Sequence, residues 1–294
     1  LEVLEASTFC LPESIGGFPQ VSGISYTIST AVPYDANAET YPASTYYGPK
    51  TINRVSINSI NGKEFKADDT YAVVTNDFCS AGGDTYYAFK STAKADKVAT
   101  GVTLDQALMN YVKTELKGVI GKQYAEPQGR ILMNPFKDVK VSSWFGKYVI
   151  DLYNDGIING TSATTYTPDA KLSWAAALKL LLVSHGDLKS EDATGADWSK
   201  NTIAKAAELG LVAADLDGAK DISRLEFCQV AAKLNKLAES KTESKFTDCT
   251  DGYVMALVDA KVINGMTETT FEPAASLTRA QIAKIIYQLN LIEK

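Results

Sequence analysis

The chain has 294 residues, of which 45% are hydrophobic and 22% are charged, with a formal net charge of −6. This composition is ordinary for folded protein, and the length allows two or more domains. The acidic balance, with a sequence pI near 5.0, argues against a nucleic acid polymer as partner, because its phosphates would be repelled. No apolar run is long enough to span a bilayer, since the longest, at 174–183, is interrupted by Lys179.

Histidine and cysteine are too sparse in this sequence to indicate a metal centre. The single histidine, His185, follows an apolar helical segment and precedes Gly186, a pair that predicts the end of a helix. Neither a CxxC pair nor a zinc spacing occurs among the four cysteines, which are Cys10, Cys79, Cys228 and Cys249. We expect buried thiols, with a Cys228–Cys249 bridge as the alternative. The sequence therefore predicts no cofactor in this chain.

The front of the chain shows strand patterns separated by turns. Residues 1–9 space their apolar side chains like a helix, and residues 18–28 alternate apolar and polar side chains like a strand. Residues 33–50 are rich in Tyr, Pro, Ala and Ser and predict an irregular loop. Residues 53–60 predict a second strand, and residues 72–75 predict a third, buried one.

A helix is predicted to begin at Thr103, because Thr103 and Gln106 form a capping box. One face of this helix is apolar, and its members are Leu104, Leu108, Tyr111, Val112 and Leu116.

The stretch after residue 75 contains a paired-glycine turn flanked by an aromatic ring and a carboxylate. Asn76 and Phe78 precede Gly82, Gly83 and Asp84, so Phe78 and Asp84 lie on opposite limbs of one loop. Paired glycines allow positive φ and the close approach of a ligand or another backbone. A ring beside a carboxylate suits a nucleoside, since the ring stacks on the base and the carboxylate accepts from ribose hydroxyls. Alternatively, Phe78 is a core residue and the glycines form only a turn.

Four ordered motifs closely resemble the C-terminal domain of the 5'-nucleotidase family, which includes UDP-sugar hydrolases and 2',3'-cyclic-nucleotide phosphodiesterases. They are residues 16–23 (GGFPQVSG), Arg54-Val55 with Asn61-Gly62, Asn76-Asp77-Phe78, and Ala81-Gly82-Gly83-Asp84. The resemblance covers roughly residues 1–131, and residues 128–131 resemble the closing strand of the family. It implies a mixed α/β domain that recognises a nucleotide or nucleoside, and that is incomplete at its front.

The resemblance also implies which residues bind and what this chain lacks. The substrate-binding residues would be Asn76, Phe78, Gly82, Gly83 and Asp84. The family hydrolyses phosphoesters at a two-metal centre whose ligands include several histidines. Those divalent metal ions are expected in a missing N-terminal domain, so we expect no catalytic residue and no catalysis in this chain itself.

After Met133 the sequence repeats. Asn159-Gly160 and Asn264-Gly265 are 105 positions apart (264 − 159), and Ser173 and Thr278 share that offset (278 − 173). Ser223, which also opens a predicted helix, lies 50 positions after Ser173 (223 − 173) and 55 before Thr278 (278 − 223). Each of three copies predicts a helix, a Gly-containing loop and a second helix with an apolar stripe. Three such stripes facing inward would form a helical bundle.

These copies resemble S-layer homology repeats, which bind secondary cell-wall polysaccharide carrying acidic, often pyruvylated, sugars in grooves between repeats. The marks are the Phe-x-Asp openings, the Ile-Asn-Gly loops and the helix starts Thr278-Arg279-Ala280-Gln281 and Ser223-Arg224-Leu225-Glu226. The glycan-binding residues implied are Asp138, Trp144, Gly160, Arg224, Asp248, Gly265 and Arg279. Arginine suits a carboxylate because its planar fork binds in a bidentate manner.

The arginine positions predict anion binding at helix starts, but two of the three copies depart from the repeat pattern. Arg224 and Arg279 lie in the first turn of a helix, where exposed backbone N–H groups should also favour an anion. The first copy has Trp174 in place of that arginine, and the second copy lacks both the Phe-x-Asp opening and the Asn-Gly loop.

The sequence therefore predicts an α+β protein, with a partial mixed α/β domain at 1–131 followed by an all-α bundle of three repeats at 134–186, 187–240 and 243–294. Its predicted function is that of a C-terminal fragment of a nucleotide phosphohydrolase in nucleotide catabolism, extracellular and anchored at the cell wall or S-layer of a bacterium. The alternative is a non-catalytic, wall-anchored surface protein.

Overall fold

A computed structural model of the chain describes residues 1–11, 13–32, 53–125 and 127–292. It divides into two compact units, Leu1–Phe136 (unit 1) and Lys137–Lys294 (unit 2). Helices and a small sheet both occur, so the fold is of the α+β class. The irregular loop predicted at 33–50 lies outside the described residues. None of the helices in the described ranges is long and apolar enough to cross a membrane.

A short helix and a small sheet form the core of unit 1. Helix α1 spans Glu2–Ser7, and the strands are β1 (Ile24–Ser29), β2 (Val55–Ile60) and β3 (Ile131–Asn134). Within the described residues these strands form one sheet in the order β2-β1-β3, with β1 antiparallel to β2 and parallel to β3. The buried core consists of Leu4, Tyr26, Ile28 and Val55.

Hydrogen bonds of two buried charged residues join α1 and the segment after it to the sheet. The Glu5 carboxylate accepts the backbone N–H groups of Arg54 and Val55 at 3.1 and 3.0 Å. The Arg54 guanidinium donates to three backbone carbonyl oxygens, those of Phe9, Leu11 and Ser29. Glu5 and Arg54 are each only 2% exposed. Because hydrogen bonds satisfy both buried charges, they fix α1 against β1 and β2 rather than destabilise the fold.

The remaining elements of unit 1 are short and helical. They are α2 (Asp77–Ser80), a 3₁₀-helix at Tyr87–Ser91, a second at Lys94–Asp96, α3 (Leu104–Asn110), a π-helix at Tyr111–Glu115 and a third 3₁₀-helix at Lys122–Tyr124. The capping box predicted at Thr103 and Gln106 is confirmed, since each side chain bonds the other residue's backbone N–H.

Two expectations for unit 1 were wrong in detail, and one predicted apolar face is uncovered. The first strand begins at Ile24, after Gly23 adopts a positive φ of 73°. Residues 72–75 form no strand, and Val74 is 87% exposed. The apolar face of α3 is open, with Leu104 at 71% exposure. Both apolar patterns are correct locally, but a pattern produces a buried element only where a neighbouring surface receives it.

Unit 2 consists of helices that pack in pairs along the described chain. They are α4 (Gly146–Asn154), α5 (Trp174–His185), α6 (Trp198–Glu208), α7 (Arg224–Leu234), α8 (Gly252–Asp259) and α9 (Arg279–Ile292). Helix α5 packs against α6, α7 against α8, and α9 against α4, while α5 also contacts α9. The helix end predicted at His185 is confirmed, because Gly186 follows it in the left-handed conformation.

The first residues of α5, α7 and α9 each bond to the loop that precedes another of these three helices. The N–H of Trp174 donates to the Lys220 carbonyl, and the N–H of Arg224 donates to the Ala275 carbonyl, both at 2.8 Å. The N–H of Arg279 donates to the Ala170 carbonyl at 2.9 Å and closes the ring. We name these contacts the Trp174, Arg224 and Arg279 junctions.

Candidate functional site

The paired-glycine loop of unit 1 begins with α2. Asn76 caps this helix, because its side-chain oxygen accepts the Cys79 N–H at 2.7 Å. Phe78 is 55% exposed and lies against the next turn of the chain. A Cβ atom at Gly83 would come within 2.5 Å of the Phe78 ring. The ring therefore rests on the Gly83 backbone, and the loop needs glycine there so that the ring can lie flat against it. Phe78 is not a core residue.

Asp84 is on the opposite limb of the loop and faces the first motif. It adopts a positive φ of 49°, and its Cβ lies 3.6 Å from the position a Cβ would take on Gly17. The Tyr86 hydroxyl donates to the Gly17 carbonyl at 2.9 Å, and burial raises the pKa of Tyr86, which keeps the hydroxyl a donor. The Ser7 and Thr85 hydroxyls are 2.7 Å apart. The structure thus brings the first motif against the paired-glycine loop.

The second motif joins this assembly through the backbone. The Asn61 N–H donates to the Gly23 carbonyl at 2.6 Å, and the Arg54 side chain holds the segment just before the first motif. The first motif therefore contacts both the second motif and the Phe78–Asp84 loop, although the three are far apart in sequence.

Lysine side chains lie along this loop, and the sequence patterns gave no reason to select them. The Lys97 ammonium donates to the Ser80 carbonyl at 2.6 Å and so holds the end of α2. A Cβ atom at Gly82 would come within 2.7 Å of Lys90 Cγ. The one available signal was the three-residue spacing of Tyr87 and Lys90, which brings the lysine over the ring in a 3₁₀-helix.

In unit 2 the two predicted aspartates hold equivalent turns. Asp248 accepts the N–H groups of Phe271 and Glu272, each at 2.8 Å, and Asp138 does the same for residues 166–167. The two backbone donors hold the pKa of Asp248 below its ordinary value. Glu272 adopts a positive φ of 60°, which the carboxylate helps to maintain. Both carboxylates are thus engaged with the backbone.

At the Arg279 junction two nitrogens of the guanidinium are hydrogen-bonded. Arg279 Nε donates to the Tyr166 carbonyl and Nη2 donates to the Asn159 carbonyl, each at 2.8 Å. The guanidinium carbon lies 4.4 Å from the centroid of the Tyr166 ring. In return, the Tyr166 hydroxyl donates to the Arg279 carbonyl at 3.2 Å.

The Arg224 junction is built on the same plan with fewer bonds. Arg224 Nη2 donates to the Asn264 carbonyl at 2.7 Å, and the guanidinium carbon lies 4.7 Å from the centroid of the Phe271 ring. Arg224 is 7% exposed, and in the part of the chain that the structure describes its buried Nε has no hydrogen-bond partner. Burial lowers the pKa of this guanidinium.

The first-turn N–H groups do not serve as an anion site at either arginine. Besides the two arginine N–H groups, those of Leu225 and Ala280 donate to Pro273 and Pro168 carbonyls at 3.0 and 2.9 Å. The expected anion site was therefore wrong, because these N–H groups donate to carbonyl oxygens of the loops that precede α9 and α5. Any anion here must be bound by side chains.

The other predicted glycan residues lie in loops and differ in exposure. Trp144 is 58% exposed, with its ring edge-on to Phe145. A Cβ at Gly265 would come within 2.6 Å of the Phe246 ring, so this glycine serves close packing. Gly160 is half-buried.

The donor set of the described residues does not fit the two-metal centre that the family resemblance implies. No group of three or more His, Cys, Asp or Glu side chains there could hold a metal ion. His185 Nδ1 instead lies 2.6 Å from an Asp187 carboxylate oxygen. All four cysteines are free thiols, and Cys228 and Cys249 are buried as expected, while Cys10 and Cys79 are only half-buried.

Comparison with known proteins gives two family matches. Residues 1–91 match the 5'-nucleotidase C-terminal domain, and residues 135–177 and 247–283 match the S-layer homology domain.

Among curated proteins, an endoglucanase of Bacillus sp. (strain KSM-635) is 29% identical over 179 residues, or 53% of this chain and 18% of the relative. Exoglucanase XynX of Acetivibrio thermocellus is 26% identical over 54% of this chain and 16% of the relative. The trifunctional nucleotide phosphoesterase protein YfkN of Bacillus subtilis (strain 168) is 33% identical over 97 residues, or 32% of this chain and 6% of the relative.

This chain therefore spans less than a fifth of each of these three relatives, between 6% and 18% of their length. The family matches and the YfkN similarity agree with the four motifs and with the repeated loops on which the sequence resemblances rest. The chain carries a 5'-nucleotidase C-terminal domain followed by S-layer homology domains.

Proposed function

We propose that the chain is the substrate-recognition and wall-anchoring part of a cell-surface nucleotide phosphohydrolase. Unit 1 would bind the nucleoside of the substrate, and unit 2 would bind secondary cell-wall polysaccharide. The observation that carries this proposal is the meeting of the separated motifs around Phe78 and Asp84, in a chain that also has S-layer homology domains.

The nucleoside would stack on Phe78. One face of the ring rests on Gly83, and the side chain remains 55% exposed, which leaves aromatic surface for a base. Asp84 follows Gly83 directly and would accept from the ribose hydroxyls. Asn76 and Gly82 shape the loop, the first as the cap of α2 and the second through its positive φ of 82°. Both would act on the ligand through the position of the ring.

The wall polysaccharide would bind at the junctions of unit 2. We assign α4 with α5, α6 with α7, and α8 with α9 to three S-layer homology repeats at 134–186, 187–240 and 243–294, so that each packed helix pair joins two repeats. Arg224 gives polysaccharide binding its best support. Its buried Nε has no hydrogen-bond partner among the described residues, and an incoming carboxylate would relieve this costly arrangement. A carboxylate on an acidic sugar matches the fork of the guanidinium.

The other predicted glycan residues would shape these grooves. Asp138 and Asp248 hold the turns over which the arginines lie, and Gly160 and Gly265 keep the preceding loops compact. Trp144, the most exposed aromatic ring of unit 2, offers a surface on which a sugar can stack. Arg279, already bonded to two carbonyl oxygens, would contribute chiefly to the shape of its groove.

Binding of adenosine and of purified wall polysaccharide to the full chain tests the two halves of the proposal. Phe78→Ala should weaken adenosine binding by about 1–3 kcal/mol, the usual contribution of a base stack. Asp84→Ala should weaken adenosine binding more than binding of the 2'-deoxy analogue. Tyr124→Ala is the matched control, because it removes another exposed aromatic ring. It should change neither the affinity for adenosine nor the affinity for the 2'-deoxy analogue.

Polysaccharide binding without any nucleoside binding would favour the non-catalytic, wall-anchored alternative. Nucleoside binding that is indifferent to both Phe78→Ala and Asp84→Ala would contradict the recognition site.

A further inference from the structure

Two side chains lie on the paired glycines of unit 1, one on each glycine. The Phe78 ring covers Gly83, and the aliphatic stem of Lys90 covers Gly82, where a Cβ would come within 2.7 Å of Cγ and 2.8 Å of Cε. Successive Cα atoms are about 3.8 Å apart, so the ring and the lysine stem flank one short turn. A Cβ at Gly83 would displace the ring, and a Cβ at Gly82 would displace the lysine stem at a residue whose positive φ of 82° already favours glycine.

The ammonium group of Lys90 is held near this turn by an aromatic ring. Its Nζ lies 4.4 Å from the centroid of the Tyr87 ring, and Tyr87 is a buried residue. Lys90 itself is exposed, and the described residues give it no carboxylate partner. Lys97, by contrast, already donates to the Ser80 carbonyl. Lys90 is thus a positioned cation whose charge no acidic side chain of the described residues neutralises.

We propose that Lys90 binds the phosphate of a nucleotide whose base stacks on Phe78 and whose ribose meets Asp84. This inference rests on the proposed nucleoside site and specifies its ligand as the phosphorylated nucleoside. In a nucleotide one sugar ring joins base and phosphate, and here the glycine under the ring and the glycine under the lysine stem are consecutive residues. A lysine ammonium suits this role as a point charge that binds phosphate oxygens.

The test compares binding of adenosine, AMP and inorganic phosphate to the full chain at low ionic strength. Wild type should prefer AMP over adenosine by about tenfold, the lower end of what one charge-assisted hydrogen bond contributes. Lys90→Met keeps the stem on Gly82 but removes the charge, so it should reduce this preference to less than about twofold without changing adenosine affinity. Lys90→Arg should retain the preference, and added salt should weaken it.

Lys94→Met is the matched control, since Lys94 is an exposed lysine in the neighbouring 3₁₀-helix. It should behave like wild type. Equal affinities of wild type for adenosine and AMP would overturn the role of Lys90 while leaving the nucleoside site intact. Binding of AMP and phosphate without adenosine would instead overturn the base-stacking site and leave Lys90 in place. If Lys90→Met keeps the wild-type preference for AMP over adenosine, the proposal is overturned. If no probe binds, both the role of Lys90 and the nucleoside site are overturned.

Discussion

The Arg279 and Arg224 junctions have the same backbone contacts and the same arginine, yet their guanidinium groups are bonded differently. Arg279 donates from Nε and Nη2 to two carbonyl oxygens, whereas among the described residues Arg224 donates from Nη2 alone and its buried Nε has no hydrogen-bond partner. A shared sequence motif therefore does not give a shared role. Arg279 mainly joins α9 to the loop before α5, whereas we propose that Arg224 retains the capacity to bind an acidic sugar.

The aromatic residue under each arginine accounts for part of the difference. Tyr166 has a hydroxyl that donates to the Arg279 carbonyl, and its own carbonyl accepts Arg279 Nε. Burial raises the pKa of Tyr166 to about 12, so the hydroxyl remains a donor at neutral pH. Phe271 occupies the equivalent position at the Arg224 junction (166 + 105 = 271) and has no hydroxyl to make that bond.

The largest expected difference between the junctions is in stability. Arg279→Met should lower the free energy of unfolding of unit 2 by about 2–3 kcal/mol, because two charge-assisted hydrogen bonds are lost at a half-buried site. Arg224→Met should cost less than about 1 kcal/mol, since it also removes an incompletely paired buried charge.

Urea unfolding followed by tryptophan fluorescence measures both effects. The signal reports on unit 2 because Trp144, Trp174 and Trp198, the three tryptophans of the sequence, all lie in it. Equal losses in the two variants would contradict the contrast between the junctions.

A reciprocal exchange of the aromatic residues should sharpen the same contrast with a smaller effect. Tyr166→Phe should destabilise unit 2 by about 1 kcal/mol, the net contribution of one hydrogen bond. Phe271→Tyr should stabilise it by up to about 0.5 kcal/mol if the new hydroxyl reaches the Arg224 carbonyl. Thermal unfolding of the two variants and of the double exchange provides the measurement. If Tyr166→Phe stabilises unit 2, the hydroxyl does not hold the loop before α5 against the first residue of α9.

The smallest expected effect is on pH dependence. Because the folded-state pKa of Asp248 is depressed, its ionised form stabilises the fold fully above the unfolded value of about 3.9. That contribution is lost as the pH falls through the folded-state pKa. Asp248→Asn should therefore flatten the fall in unfolding temperature between about pH 5 and pH 3. Asp215→Asn, at an exposed loop position, should leave the slope unchanged. An unaltered slope in Asp248→Asn would mean that the two backbone donors do not depend on the charge.

Features that depend on neighbouring residues in sequence were predicted well. The capping boxes at Thr103 and Ser223 and the helix end at His185 are confirmed, because each is formed within one turn of chain. Close approach at Gly83 also followed from sequence, although the residue that approaches it is Phe78 itself.

Features that depend on distant contacts could not be predicted. The apolar residues of 72–75 and of α3 stay exposed because the described part of the fold offers them no covering surface. The first-turn N–H groups at Arg224 and Arg279 are taken by carbonyl oxygens from loops about 50 and 110 positions away, a pairing that no local pattern encodes (275 − 224 and 279 − 170). The distant hydrogen-bond partners of Glu5 and of the Arg54 side chain were unpredictable for the same reason.

The central claim about the junctions is that Arg224 binds the carboxylate of an acidic wall sugar. The most direct test is the affinity of the full chain for acidic wall polysaccharide, before and after chemical reduction of the sugar carboxyl groups. The affinity of wild type should fall about tenfold or more when the carboxyl groups are reduced, in line with the loss of a charge-assisted pair. The affinity of Arg224→Met for the native polysaccharide should be lower than that of wild type by the same factor. Arg279→Met, measured where it is fully folded, should lose less than about threefold. Wild-type affinity in a folded Arg224→Met variant would contradict the account.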